Sequence, residues 1–138
     1  MPDSTPHDFF NMDRFAKEAG IELIEIGRGY ATARLKIEEK HLNAGNTTQG
    51  GAIFTLADLA LAAAANSHGT LALSLNSSIS FFKPSKPGDT LIAEAKERNC
   101  GRKTGHYQVE IFNQERELIA LFEATVYRKE DRLPFNPL

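Results

Sequence analysis

The 138-residue chain has no tryptophan and one cysteine, Cys100. A lone thiol cannot close an internal disulfide or furnish a cysteine-rich metal cage, so the core must hold by packing alone. Neither sign of charge is in excess: 16 Lys and Arg stand against 18 Asp and Glu, a net charge of -2. Such a balance lacks the positive field of a general nucleic-acid binder, although a local basic patch can still hold one small anion. Long hydrophobic runs are missing too. The most apolar stretch, 52–65, is broken by Thr55 and Asp58 and falls short of the ~20 residues a membrane span requires. Met1 to Asp8 carries acidic residues where a secretory leader needs basic ones. These absences lead us to expect a cytoplasmic protein that engages neither membrane nor nucleic acid.

Catalytic fingerprints are equally sparse. No Gly-x-Ser-x-Gly elbow, phosphate loop or dinucleotide motif is present. His7, His41, His68 and His106 show no metal-ligand spacing. They read as surface or capping residues, with His68 and His106 within possible reach of a ligand, and no residue is assigned to a metal.

What is present is the composition of one domain, with 41% hydrophobic and 25% charged residues, enough to exclude disorder. Thr5-Pro6-His7-Asp8 reads as a helix start, and Phe9, Met12, Phe15, Ala16 and Ala19 continue at helical spacing to a Gly20 stop. Residues 1–20 are therefore set apart as an N-terminal helical segment. Period-two apolar runs flank Gly27-Arg28-Gly29, a hairpin signal, and a polar loop follows to Thr48. A helix is expected from Gly50 to Asn66 and a long strand from Leu71 to Phe82. Three more strands are expected at 90–99, 105–113 and 118–128, with 129–138 left as an irregular tail. Grouped strands around one interior helix indicate an α+β fold with an antiparallel sheet over 21–128.

The expected helix is apolar on every side and rich in alanine, so the sheet should wrap it closely. Its one charge is Asp58. A buried aspartate costs several kcal/mol unless paired, hydrogen-bonded or protonated, and no Lys, Arg or His lies between Gln49 and Ser67. Either Asp58 bonds locally, to Thr55 one turn earlier, or it faces a cleft as a general base or nucleophile. Gly50-Gly51 at the helix start supplies backbone N–H groups able to polarise a carbonyl. Ser74, Asn76, Ser78 and Ser80 alternate as one polar face of the following strand.

The stretch from His41 through Asn43, Gln49-Gly50-Gly51 and Asp58, continued by Asn76-Ser77-Ser78-Ile79-Ser80-Phe81-Phe82-Lys83-Pro84 and Pro87-Gly88-Asp89, resembles the PaaI-type hotdog-fold acyl-CoA thioesterases. The resemblance covers about residues 20–128. It implies a curved antiparallel sheet wrapped around a central helix, and homodimers or homotetramers with active sites at the subunit interface. It implies hydrolysis of acyl-CoA thioesters, with coenzyme A entering as part of the substrate and no separate cofactor. By position, Asp58 is the catalytic carboxylate and Gly50 the N–H donor to the thioester carbonyl. Asn43 orients substrate or water, and Ser74 assists the water. Gln49 stands where the family usually has His, and it can donate a hydrogen bond but cannot titrate. Lys83, Lys86, Arg102 and Lys103 are the cations expected to hold the coenzyme's phosphates. The alternative is a non-catalytic acyl-CoA binding module.

Overall fold

The computed structural model describes residues 5–138; the reading of the first four residues lies outside them. Two short helices, α1 (Pro6–Phe10) and α2 (Arg14–Ala19), precede a hairpin of β1 (Glu22–Gly27) and β2 (Tyr30–Lys36). A 3-10 turn (Glu39–His41) leads to the long helix α3 (Gly50–Asn66). Then come β3 (Thr70–Phe81), β4 (Thr90–Cys100), β5 (Thr104–Phe112) and β6 (Leu118–Arg132). The six strands form one antiparallel sheet in the order β1-β2-β4-β5-β6-β3, open at both edges.

The sheet curls around α3 because alanine lines both surfaces. Ala57, Ala60 and Ala64 of the helix and Ala31, Ala33, Ala93 and Ala95 of β2 and β4 are all buried. Larger side chains close the remaining space, among them Leu56, Leu61, Leu35, Leu91 and Phe122. Each such burial contributes about 1.5–3 kcal/mol. Phe54 meets Phe122 edge-on, ring centroids 5.0 Å apart.

Four local features differ from the sequence reading. The N-terminal helix is two helices: Asp13 caps the second by accepting from the Ala16 N–H at 3.0 Å, which stops the first short. The tail is partly regular, since β6 runs on to Arg132, and Phe135 is buried against Phe9 and Phe10. The sheet does not enclose α3 completely. Gly51 is exposed and Thr55, Asp58 and Ala62 are half-buried, a spacing that puts them on one helix face. Finally, the polar residues of β3 do not share a face. Ser74 pairs with Val126 but Asn76 pairs with Thr125, so Leu75 is an extra, bulged residue. Ser74 therefore faces inward with Ser77, Ile79 and Phe81, while Asn76, Ser78 and Ser80 face outward.

Candidate active site on the open face of the central helix

Asp58 sits at the middle of the uncovered stripe of α3. The local alternative is not realised, because the Thr55 hydroxyl donates to the Gly51 carbonyl at 2.7 Å and not to the carboxylate. Among the described residues Asp58 has no hydrogen-bond or ion-pair partner. Burial raises its pKa above the usual aspartate range, and the like charge of Asp13 adds to the effect. A half-buried carboxylate with raised proton affinity and free oxygens suits it to take a proton from water or to attack a carbonyl.

The helix start divides its donors. Gln49 is the N-cap, and its side-chain oxygen accepts the Gly51 N–H. A Cβ on Gly51 would lie 2.5 Å from that oxygen, so a larger residue there would push the capping amide aside. The Gly50 N–H has no acceptor among the described residues. A Cβ on Gly50 would approach the Phe81 ring at 3.1 Å. Gln49, lacking the imidazole, thus serves as a cap, with its amide nitrogen unpartnered among the described residues.

Two clefts flank this end of the helix. One, of about 600 Å³, is lined by Phe15, Leu42, Gln49, Gly51, Phe54 and Thr55 among others. The other, of about 430 Å³, is lined by Thr47, Gly50, Ile53, Phe81, Phe82 and Lys83 among others. Asp58 lies on the helix face of Gly51 and Thr55, whereas Gly50 opens to the Phe81 side. Asp58 itself lines neither cleft, and two turns of helix, about 12 Å, separate it from Gly50 within one chain.

The remaining predicted residues are placed as follows. Asn43 is exposed, and its side-chain oxygen accepts from the Gly45 N–H at 2.9 Å and from the N–H and hydroxyl of Thr47 at 3.2 and 3.3 Å. It orders the loop leading to Gly50, and its amide NH2 has no acceptor among the described residues. Ser74 faces inward but on the edge strand. Lys83 is ion-paired with Glu117, and Lys86 is exposed in the same turn. Arg102 and Lys103 lie at the far end of β4, lining a cleft of about 590 Å³ with Tyr127, Arg128 and Lys129 among others. The length of β4 separates the two cation pairs by about 30 Å, so they do not form one cluster in a single chain. His41, read as a surface or capping residue, is a cap but a buried one: its Nδ1 accepts from the Glu38 N–H at 2.9 Å at the start of the 3-10 turn, and its Nε2 lies 2.6 Å from the Ala19 carbonyl. The sequence reading missed the place of Phe81 beside Gly50 and of Ser77 beside Ser74, because the bulge that orients them has no signature in residue type.

A helix cradled by a curved antiparallel sheet, one face left open, is the hotdog class of α+β fold. Residues 45–120 match the family model described as the thioesterase superfamily, and the chain belongs to that family. It is 38% identical over 122 residues to the acyl-coenzyme A thioesterase PaaI of Escherichia coli, covering 88% of this chain and 87% of that one. The solved structure of E. coli PaaI, from the phenylacetic acid degradation operon, superimposes with a TM-score of 0.88 at 36% identity, covering 91% of each chain. A Streptococcus mutans protein solved with acetyl-CoA bound superimposes with a TM-score of 0.78 at 29% identity, covering 82% of this chain and 91% of that one. Among the described residues no helix is long and apolar enough to cross a membrane.

Proposed function

We propose that the protein hydrolyses acyl-CoA thioesters to the free acid and coenzyme A. The observation that carries this reading is the unpartnered, half-buried Asp58 on the one open face of α3. The Gly50 N–H receives the thioester oxygen, a donor type whose removal elsewhere costs about 2.7–4 kcal/mol of transition-state stabilisation. Asp58 activates water or attacks the carbonyl carbon directly. The thiolate of coenzyme A leaves, and water supplies the new oxygen of the acid. Asn43 and the Gln49 amide nitrogen offer the remaining donors for substrate or water, and Ser74 offers a hydroxyl from the edge strand.

The working unit is a homo-oligomer, a dimer or a pair of dimers, with the site shared between subunits. Two observations support this. Gly50 and Asp58 stand about 12 Å apart along one helix, so a single thioester meets both most simply when each comes from a different subunit. Edge strand β3 spans 12 residues and exposes Leu73 and Leu75 at 49% and 62%, a free apolar edge that soluble proteins normally cover. The same division applies to the phosphates: Arg102 and Lys103, or Lys83 and Lys86, come to the coenzyme from whichever subunit presents them at the mouth of the cleft. We place the protein in the cytoplasm, where coenzyme A esters are available and a free thiol such as Cys100 stays reduced.

The test is free-thiol release from a panel of aryl and fatty acyl-CoA esters, alongside equilibrium binding of the same esters. We expect turnover in the native protein, and Asp58→Ala should abolish it while ester binding and the assembly persist. Saturable binding without thiol release in the native protein would instead establish a binding module.

A further inference from the structure

At the opposite end of α3 three side chains converge on one point. His68, just past the helix, places its Nε2 2.7 Å from Glu97 Oε1 and 3.8 Å from Cys100 Sγ. The three donor atoms lie within 4.8 Å of one another. Glu97 also accepts from the Tyr107 hydroxyl at 2.6 Å. The His68 and Glu97 side chains are 10% and 24% exposed, whereas Cys100 is exposed, so the cluster is walled on the inside and open at the thiol.

The geometry distinguishes two chemistries. In a nucleophilic relay, the thiol faces one ring nitrogen and the carboxylate the other. Here both face the same nitrogen, Nε2, so the ring cannot pass a proton between them in that manner. Three ligand atoms of different chemistry gathered within 4.8 Å are instead what a shared cation requires, the ion replacing the proton between His68 and Glu97. A tetrahedral site with zinc bonds of 2.0–2.3 Å spaces its ligand atoms by about 3.3–3.7 Å. The sulfur-to-nitrogen distance is already near that value, and the His68–Glu97 pair needs to open by roughly 0.6 Å.

The backbone builds this convergence. In a regular strand, residues three apart point to opposite faces. Glu97 pairs with Tyr107 but Asn99 pairs with His106, so Arg98 is bulged. The bulge returns Cys100, opposite Gly105, to the inner face that Glu97 occupies. The Ser67 hydroxyl accepts from the Gly29 N–H at 2.8 Å and donates to the Ala64 carbonyl at 2.7 Å, fixing the segment that carries His68. Arg128 is tied back, its Nη1 donating to the Gly101 carbonyl at 2.6 Å, while its charge and that of Arg28 still act on the Cys100 thiol.

We propose that His68, Glu97 and Cys100 form a binding site for a borderline-soft divalent cation, zinc by preference, with water as the fourth ligand. Imidazole and thiolate select zinc over calcium or magnesium. Carboxylate and thiolate together neutralise the ion, the thiol proton leaving to solvent on binding. Tyr107 holds the ligating carboxylate in place. The site lies about 25 Å from the start of α3, and its occupancy is independent of the thioesterase reading. A bound ion would tie the end of β4 to the end of the helix.

The experiment uses the full-length protein, treated with chelator and then titrated with Zn2+ against a chromophoric competitor, and separately with Co2+. We expect one zinc per chain, and for Co2+ a thiolate-to-metal charge-transfer band with tetrahedral ligand-field intensity. Cys100→Ser, a change at an exposed position, should remove the band and weaken zinc binding at least tenfold. Zinc should also slow the reaction of Cys100 with a thiol reagent at least tenfold. His68→Gln should match Cys100→Ser where it folds, and Cys100→Ser decides the matter alone where it does not. No stoichiometric zinc binding, equal affinity in Cys100→Ser, or an unchanged thiol reaction rate would each overturn the proposal.

Discussion

Asp58 and Glu97 are both partly buried acids at the concave side of the same sheet, and their proton affinities move in opposite directions. For Glu97, burial alone would raise the pKa, but hydrogen bonds from Tyr107 and His68 outweigh it and hold the carboxyl below its usual range. Asp58 receives no donor among the described residues, and burial with the like charge of Asp13 raises it. Burial therefore does not decide the outcome; the supply of donors does. Past the end of α3 the polar groups are spent on holding the fold, whereas Asp58 at its middle is left uncommitted among the described residues. Uncommitted polar groups on a half-buried face are costly to stability, which is the expected mark of a working site.

Mutation can break this contrast from either side, and the largest effect belongs to Asp58. Asp58→Asn should lower the turnover number by a factor of about 10² to 10⁴, the range for loss of a positioned base, measured as thiol release at saturating ester. The same variant should be more stable than the native chain at neutral pH. A carboxyl whose folded pKa is raised favours folding most when protonated, and that contribution is lost as pH rises through the folded pKa. The stability gain of Asp58→Asn in urea unfolding should therefore disappear as pH falls below the ordinary aspartate range. A gain that persists in acid would show that the carboxylate is not strained. In the native enzyme the rate should fall on the acid side with a midpoint above that of an unperturbed aspartate.

Glu97 should behave in the reverse manner. Glu97→Ala leaves the Tyr107 hydroxyl and His68 without their acceptor and should cost about 1–3 kcal/mol in urea unfolding. Its stabilising contribution is present above the ordinary glutamate range and is lost as pH falls through its lowered pKa. Gln49→Ala should cost about 1 kcal/mol by removing the helix cap, a loss visible in the thermal midpoint, and it frees the Gly51 N–H. The smallest contrast lies on β3. Ser74→Ala should slow hydrolysis by about tenfold or less, the worth of one neutral hydrogen bond, while Ser78→Ala on the outer face should leave the rate unchanged. Equal effects of the two serines would mean that the inner face is not the working one.

Much of the fold was legible because its signals are local. Gly27-Arg28-Gly29, the all-apolar helix and the period-two runs each specify an element from neighbouring residues, and Gly20, at φ +89, ends α2 as its position suggests. Asp58 was legible for a different reason: a charge in an apolar helix with no local cation is conspicuous in any context. What the sequence did not display was longer in range. Phe135 reads as part of an unstructured tail, yet its ring is buried on Phe9 and Phe10 from the other end of the chain. His68, Glu97 and Cys100 have no ligand spacing, because a bulge and a helix end bring them together. Thr5 was legible as a cap, but Asp13 looks like one only once the helix is known to break before it.

The bulge at Leu75 also changes the arithmetic of the edge strand. Before it, the even-numbered positions Ala72 and Ser74 point at the helix; after it, the odd-numbered Ser77, Ile79 and Phe81 do. A saturation scan along β3 should therefore show tolerance that switches parity at residue 75. Two relatives with identical serines but differing there by one residue would have them on opposite sides of the sheet. In this strand the side a hydroxyl faces is encoded by a count of residues, and aligning like with like is not enough to read it.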